Sequence, residues 1–218
     1  MNILILGKGA REHAFAWKIS RSKLLTTLFI APGNAGTVQY GKNIDIAIND
    51  FEEIKKLCIK QKIEIVFVGP EEPLVNGIYD FFKNDKKLND IIIIGPSQGG
   101  AKLEGSKSYA KAFMQRNNIP TASFKEFDET NYEEGVHYIK DHTLPVVLKA
   151  DGLTAGKGVL ICQNHIEAMA EFELMIQQSK FGAAGKKVVV EEFLTGIELS
   201  VFVLTDGKNF VLLTEEKD

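Results

Sequence analysis

The sequence contains little cysteine and tryptophan. Only 2 cysteines and 1 tryptophan occur in 218 residues. Cys58 and Cys162 lie far apart in apolar surroundings, which favours two buried, unpaired side chains. No cluster of cysteine and histidine has the spacing of metal ligands, so the sequence predicts no metal site. These absences exclude a disulfide-stapled secreted domain and indicate a reducing compartment.

Long apolar runs and a large net charge are also absent. No stretch approaches the ~18 consecutive apolar residues of a membrane helix. Residues 1–6 are too short, and lack the positive charge in front, for a secretory signal. The formal net charge is only −3, so nucleic acid is not expected as a partner. We therefore expect a soluble cytoplasmic protein without a membrane partner, and the composition favours no particular oligomeric state.

The first hundred residues alternate between strand and helix patterns. Four β-branched-rich runs are apolar on both faces, as in a parallel sheet covered by helices. They predict strands at residues 3–6, 28–31, 65–68 and 91–94, and the segments between them predict helices over 10–22, around 51–58 and over 72–84. This alternation is typical of an α/β fold with an open parallel sheet.

The second half has a different order of elements. Ser106 is the expected N-cap of a helix that ends before Pro120. Strands are then predicted near 123–127, 145–150, 158–162, 187–194, 199–204 and 210–213, with helices around 132–139 and 164–178. Asp206-Gly207 is a strong turn signal and predicts a hairpin between the last two strands.

Three glycine-containing loops follow strands of the predicted parallel sheet. Residues 7–13 (GKGAREH) could present backbone N–H groups to an anion, and the segments 31–36 (APGNAG) and 69–72 (GPEE) end two further strands. Glu12 takes the third glycine position of a dinucleotide fingerprint, which disfavours NAD. A phosphate or sugar phosphate is favoured over a purely structural turn, and His13 is expected to pack or cap. Because the loops share one sheet edge, we expect a single small-molecule site.

Residues 149–158 place a lysine in an apolar strand before a glycine-rich loop. The segment KADGLTAGKG differs from a P-loop in its glycine spacing and in the residue after Lys157. A lysine is costly to bury without an anionic partner, so we interpret Lys149 as a phosphate contact and the loop as its cover. The alternative is a solvated edge strand with a flexible hairpin.

Acidic residues end the strand predicted before residue 195. Glu191 and Glu192 are adjacent, and Glu198 follows after a turn. Carboxylates accept hydrogen bonds from an exocyclic amine or from ribose hydroxyls. Solvated strand ends also carry glutamates, so the spacing alone is a weak signal.

Taken in order, these segments resemble the glycinamide ribonucleotide synthetase (phosphoribosylamine–glycine ligase) family of the ATP-grasp superfamily. The resemblance runs along the whole chain and rests on residues 7–13, 31–36, 68–71, 103–107 (LEGSK), 149–153 with 155–158, and 191–194 (EEFL). It implies an amino-terminal, pre-ATP-grasp α/β domain at 1–104, a linker helix at 105–121, an ATP-grasp lid at 122–190 and the start of the ATP-grasp core at 191–218.

The resemblance also implies roles for named residues. The substrate side would consist of Gly9, Arg11, Gly33, Asn34, Gly36, Gly69, Pro70 and Glu71. The ATP side would consist of Lys107, Lys149, Gly152, Gly156, Lys157, Gly158, Glu191, Glu192, Phe193, Leu194 and Glu198. Of these, Lys107 and Lys149 match phosphate contacts, residues 191–194 match the strand that meets adenine, and Glu198 matches a ribose-binding carboxylate.

The implied reaction joins phosphoribosylamine to glycine at the expense of ATP, in purine biosynthesis. ATP would phosphorylate the glycine carboxylate, and the amine of phosphoribosylamine would then displace phosphate. Members of the family hold magnesium with residues that would fall beyond position 218, so the chain is expected to be a fragment that is inactive alone. The alternatives are another ATP-grasp ligase of the purine pathway and a non-catalytic module that binds a nucleotide or sugar phosphate.

Overall fold

The computed structural model describes residues 1–154 and 156–217. Its amino-terminal part is built on a five-stranded parallel sheet with the order β3-β2-β1-β4-β5. The strands are β1 (Asn2–Gly7), β2 (Thr27–Pro32), β3 (Lys42–Asn43), β4 (Ile65–Val68) and β5 (Ile92–Ile94). The four predicted strands are confirmed, and the parallel α/β fold with them; only the two-residue β3 had no signal in the sequence.

Helices cover both faces of this sheet. They are α1 (Ala10–Ile19), α2 (Phe51–Gln61), α3 (Glu71–Val75), α4 (Ile78–Asn84) and α5 (Gln98–Gly105). One face packs Leu4, Leu6 and Val66 against α2 and α4, and the other packs Ile3 and Ile5 against α1. Because both faces of β1 are covered, its residues are apolar without alternation.

One helix prediction in this part is wrong in detail, and one helix was not predicted. The single helix expected over 72–84 is two helices, because Gly77 has φ +91° and breaks the chain between α3 and α4. The helix without a counterpart among the predictions is α5, which contains Gly99 and Gly100. Ser97 caps that helix by accepting a hydrogen bond from Gly100 N, and Ala101 is buried beneath it.

A single extended residue, Ser106, joins α5 to the next helix, α6 (Lys107–Arg116). The predicted N-cap is confirmed, because Ser106 Oγ accepts a hydrogen bond from Tyr109 N at 3.1 Å. The segment at 117–123 then leads from α6 into the second sheet.

The second sheet has four antiparallel strands in the order β6-β9-β7-β8. They are β6 (Phe124–Asp128), β7 (Val146–Ala150), β8 (Val159–Cys162) and β9 (Lys187–Glu192), and two helices, α7 (Tyr132–Asp141) and α8 (His165–Ile176), cover one face. Phe127, Leu148, Phe172 and Val190 meet in the core between them. All six elements confirm predicted ones.

Four short strands complete the described chain. They are β10 (Leu199–Ser200), β11 (Val203–Thr205), β12 (Phe210–Leu212) and β13 (Glu216–Lys217). The predicted hairpin is confirmed, since β11 and β12 pair across Asp206-Gly207. The strand expected over 199–204 is instead divided between β10 and β11, and Asp218, the last residue of the predicted core segment, lies outside the described residues. None of the described helices combines the length and apolar character that a membrane crossing requires.

Candidate functional site

Three loops meet at the carboxyl ends of β1, β2 and β4, because these strands are parallel neighbours. Gly33 N donates a hydrogen bond to Gly7 O at 3.2 Å. Asn34 Nδ2 donates to Lys8 O at 3.0 Å, and Asn34 Oδ1 accepts from Gly36 N at 2.8 Å. The structure therefore brings the predicted substrate-side segments together, with Asn34 holding the second loop against the first.

Glu12 forms part of the floor of this site, and sequence reasoning did not select it. Its side chain is buried, and Oε2 accepts a hydrogen bond from Gly9 N at 2.6 Å. A Cβ at Gly69 would lie 2.2 Å from Glu12 Oε1, so position 69 must be glycine for the third loop to approach this carboxylate. The residue that broke the dinucleotide fingerprint instead connects the first loop to the third.

A cavity of about 540 Å³ opens above Glu12. Lys8, Gly9 and Asp45 supply polar groups to its wall, and Pro32, Pro70 and the chain at 46–48 supply apolar surface. His13 is directed elsewhere: its ring lies where a Cβ of Gly36 would be, at 2.2 Å from Cε1, and 5.5 Å from the Tyr40 ring. This is the packing role that the sequence favoured for His13.

Arg11 and Glu71 face each other at the rim of a second cavity. Arg11 Nη1 lies 3.0 Å from Glu71 Oε1, and the Arg11 side chain is 76% exposed. This cavity, of about 860 Å³, reaches from Arg11, Pro70 and Glu71 to Glu104, Lys107 and Thr154. An exposed ion pair of this kind contributes little to stability, so either partner can exchange the other for a ligand at small cost.

Lys149 and Glu191 form an ion pair between neighbouring strands. Lys149 is on β7 and Glu191 on β9, and Lys149 Nζ lies 2.8 Å from Glu191 Oε2. The interpretation of Lys149 assumed that no anion was available within the chain; the structure provides one. The phosphate role of Lys149 therefore stays a prediction whose first argument is weaker than the sequence indicated.

A third residue, Lys111, belongs to this ion pair and was also missed. Its Nζ lies 3.1 Å from Glu191 Oε2 and donates hydrogen bonds to Thr121 Oγ1 at 2.8 Å and to Ala122 O at 3.2 Å. The available signal was its position one helical turn after Lys107, which places both lysines on the same face of α6.

Lys107 begins α6 and contacts the glycine loop. Lys107 Nζ donates to Gly152 O at 3.1 Å, and its backbone N donates to Asp151 O at 3.1 Å. The Asp151 carboxylate accepts hydrogen bonds from Ser106 Oγ at 3.0 Å and from Ser108 N at 2.7 Å. Burial lowers the pKa of Lys107, and the charge of Asp151 opposes that shift.

The glycine loop continues from Asp151 to β8. Gly152 N donates to Ala184 O at 3.3 Å, and Lys157 N donates to Thr154 O at 3.1 Å. Gly156 and Lys157 are exposed, whereas Gly158 packs on Thr154 and pairs with Ala150 through a 2.8 Å hydrogen bond. Ala155, part of the resembling segment, lies outside the described residues.

The acidic residues at and after the end of β9 are not equivalent. Glu191 is buried, but Glu192 turns to the other side and accepts a hydrogen bond from Ser123 N at 2.8 Å, which lowers the Glu192 pKa. Phe193, Leu194 and Glu198 are exposed. Glu192 therefore connects β9 to the segment that enters β6.

A third cavity, of about 230 Å³, lies between α6 and the second sheet. Its polar wall consists of Glu104, Lys107, Lys111, Lys149 and Glu191. Its apolar wall consists of Leu103, Ala110, Met114 and Val159. The described residues contain no group of three or more histidine, cysteine, aspartate or glutamate side chains that could hold a metal ion.

Two family models cover the chain end to end. Residues 1–104 match the "Phosphoribosylglycinamide synthetase, N domain" and residues 105–218 match the "Phosphoribosylglycinamide synthetase, ATP-grasp (A) domain". The chain belongs to the phosphoribosylglycinamide synthetase family. The resemblance stated from the six sequence segments is confirmed, and so is the ATP-grasp assignment of the second half.

Relatives of this family resemble the chain over its full length. A phosphoribosylamine–glycine ligase of Clostridium acetobutylicum is 43% identical over 218 residues, which are 100% of this chain and 51% of the relative. The crystal structure of the phosphoribosylamine–glycine ligase of Thermotoga maritima superposes with a TM-score of 0.79 at 33% identity, covering 99% of this chain and 49% of that one. The chain thus spans about half the length of the synthetases it matches.

A more distant structure shares the fold alone. Carboxyaminoimidazole ribonucleotide synthase of Aspergillus clavatus, solved in complex with ATP, superposes with a TM-score of 0.73 at 14% identity. It covers 99% of this chain and 53% of its own. The fold of this synthetase-family chain is therefore one on which ATP has been observed in another protein.

Proposed function

We propose that this chain supplies the sugar-phosphate site and most of the nucleotide site of an ATP-dependent ligase that joins phosphoribosylamine to glycine. The observation that carries the proposal is that the three cavities are neighbours. Pro70 lines both the first and the second, and Glu104 and Lys107 line both the second and the third. Neighbouring sites are what a reaction between two bound substrates needs, because their reacting atoms must meet.

The first cavity suits phosphoribosylamine. The loop at Gly7–Gly9 and the amino-terminal end of α1 border this cavity; Gly9 N is occupied by Glu12, so the favourable term for a phosphate is the positive end of the helix. Arg11 and Glu71 line the second cavity next to it; from there Arg11 would contact phosphate oxygens, and Glu71 would accept hydrogen bonds from ribose hydroxyls. In this proposal Gly33, Asn34, Gly36 and Gly69 shape the wall, and Glu12 fixes the loops around it.

The third cavity, together with the adjoining part of the second, suits ATP, since Lys107 and Val159 line both. Lys107 and Lys149 would neutralise phosphate oxygens, and the loop carrying Gly152, Gly156, Lys157 and Gly158 would cover them. Residues 191–194 would contact adenine largely through the backbone, and Glu198 would accept hydrogen bonds from ribose. The apolar Leu103, Met114 and Val159 give this cavity the character of a base-binding pocket.

The proposed reaction has two steps. A carboxylate oxygen of glycine attacks the γ-phosphorus of ATP, so the bond to the β–γ bridging oxygen breaks and ADP leaves. The amine nitrogen of phosphoribosylamine then attacks the acyl carbon, phosphate leaves, and the amine loses a proton. Residues of this chain would bind and orient two substrates and neutralise phosphate charge, with the second cavity as the place where the substrates meet.

Isothermal titration tests the proposal on the chain itself. We expect ribose 5-phosphate and a non-hydrolysable ATP analogue each to bind once, and to bind together. Glu71→Gln should weaken ribose 5-phosphate alone, and Lys149→Ala should weaken the ATP analogue by about tenfold or more, since a charge-assisted hydrogen bond contributes about 1.5–3 kcal/mol.

Lys125→Ala is the matched control, because Lys125 forms an exposed ion pair with Glu134 away from all three cavities. It should bind both ligands as the unaltered chain does. Competition between the two ligands for one site, or equal affinities in the Lys149→Ala variant and the unaltered chain, would contradict the proposal.

A further inference from the structure

Two lysines share a single oxygen of one buried carboxylate. Lys111 Nζ lies 3.1 Å from Glu191 Oε2 and Lys149 Nζ lies 2.8 Å from the same atom. Among the described residues, the other oxygen, Oε1, is buried and has no hydrogen-bond partner. Compensation of the Glu191 charge therefore rests on the two ammonium groups at Oε2.

The two lysines differ in how firmly they are held. The side chains of Lys111 and Glu191 are only 8% and 4% exposed, whereas that of Lys149 is 29% exposed. Lys111 is also bonded to Thr121 Oγ1 and Ala122 O, in the segment that leads into β6. Both lysines line the third cavity, but Lys111 is the more firmly held partner of Glu191 and Lys149 is the more exposed one.

This difference matters because a buried carboxylate without a cation is strongly destabilising. If Lys149 were the sole partner of Glu191, it could contact a phosphate only by leaving that charge uncompensated. With Lys111 in place, Glu191 keeps a cation when Lys149 moves away. Lys111, Lys149 and Glu191 together carry a formal net charge of +1, which favours binding of an anion at the cavity.

We propose that Lys111 is a positioning residue that retains Glu191 and thereby frees Lys149 to bind nucleotide phosphate. This inference rests on the proposed nucleotide site and adds a residue that contacts no ligand itself. Lys111 also lies one turn from Lys107 on α6, so the bond to Glu191 holds the helix that carries the other phosphate lysine at a fixed distance from β9.

A double-mutant cycle of unfolding measurements tests, without any ligand, whether Lys111 compensates the charge of Glu191. Lys149→Met should change the unfolding equilibrium constant of the unaltered chain by less than about fivefold, because Lys111 still compensates Glu191. In the Lys111→Met background the same substitution should change it by about a hundredfold or more. Adding Glu191→Gln to the double variant should restore most of that loss. Equal effects of Lys149→Met in both backgrounds would overturn the proposal.

Ligand selectivity tests the consequence for Lys149. Lys111→Met should weaken a non-hydrolysable ATP analogue by about tenfold while adenosine changes by less than about twofold, since only phosphate needs the freed ammonium. Lys111→Arg should keep the analogue's affinity, and Lys111→Met with Glu191→Gln should recover it, because Lys149 is then unpaired. A purely structural role would weaken both ligands alike and would not be rescued by Glu191→Gln.

The two failures can be distinguished. An unaltered chain that binds neither the analogue nor adenosine would refute the proposed function, and the double-mutant cycle would still decide whether Lys111 compensates Glu191. An unaltered chain that binds the analogue, with an unchanged preference for it over adenosine in Lys111→Met, would refute the role of Lys111 alone.

Discussion

Asp151 connects the glycine loop to the start of α6, and we expect its removal to affect both stability and nucleotide binding. Its carbonyl accepts a hydrogen bond from Lys107 N, and its carboxylate accepts one from Ser108 N. Ser106 Oγ satisfies the next amide, that of Tyr109. The first three N–H groups of α6 are therefore all occupied, two of them by Asp151.

The magnitude follows from the bonds that Asp151→Ala would break. The 2.7 Å bond from Ser108 N to a carboxylate is charge-assisted and is worth about 1.5–3 kcal/mol. The negative charge at a helix amino terminus adds about 0.3–1 kcal/mol. The bond from Lys107 N to the Asp151 carbonyl persists in the variant. We therefore expect the free energy of unfolding to fall by about 2–3 kcal/mol.

Urea unfolding measures this loss, with Asp50→Ala as the matched control. Asp50 caps α2 by accepting a hydrogen bond from Glu53 N at 3.1 Å, and it is not among the residues that line the third cavity. Loss of that cap should cost about 1 kcal/mol. Asp151→Ala should also weaken the ATP analogue, because Lys107 and the loop lose their common anchor, whereas Asp50→Ala should not. If both variants lost the same stability and kept the same affinity, the connection through Asp151 would be wrong.

Three further predictions concern other parts of the chain. Gly69→Ala should displace the Glu12 carboxylate, which should lower the free energy of unfolding by about 1–3 kcal/mol and weaken the binding of ribose 5-phosphate in titrations. Gly196→Ala is the control, because a Cβ at this position meets open space, and it should change neither quantity. Burial raises the pKa of Cys58 to about 12 and that of Cys162 to about 11, so a thiol reagent at neutral pH should label both only after denaturation; rapid labelling of the folded chain would contradict their burial. Burial lowers the pKa of Lys107 below 10.5, so affinity for the ATP analogue should fall as the pH rises through that lowered pKa. The free energy of unfolding should rise over the same pH range, because the unfolded chain then binds more protons than the folded chain. Lys107→Arg should remove the alkaline loss of affinity, and a pH profile unchanged by this substitution would contradict the prediction.

The fold could be predicted from the sequence where one pattern dominated. The runs around β1, β2, β4 and β5 are apolar on both faces, as in a covered parallel sheet, and helical patterns lie between them. The prediction of a single helix over 72–84 was wrong because Leu74, Ile78 and Phe82 keep a helical spacing across the break. The positive φ of Gly77 therefore leaves no trace in the pattern of apolar residues. Helix α5 was not predicted, because Gly99 and Gly100, which lie within it, have low helix propensity.

The candidate site could be predicted only in part, because the sequence shows which residues follow a strand but not which side chains face each other. The loops after β1, β2 and β4 were found since parallel strands end at one edge. Lys111 and Glu191 are distant in sequence, and their contact depends on how α6 lies against β9. Glu12 was set aside as a broken motif, because the space left by Gly7 and Gly69 exists only in the folded chain.

The single residue between α5 and α6 is the point at which the chain passes from the part that carries the first sheet to the part that carries the second. Ser106 closes one helix and opens the other in an extended conformation, with φ −144° and ψ 116°. A rotation at this residue would swing everything after it relative to the first sheet without disturbing either helix. Because Asp151 fastens the glycine loop to α6, Lys107, Lys149 and the loop would turn as one body. Such a swing would widen or narrow the gap between Arg11 and Thr154 while leaving the lysine cluster around Glu191 intact.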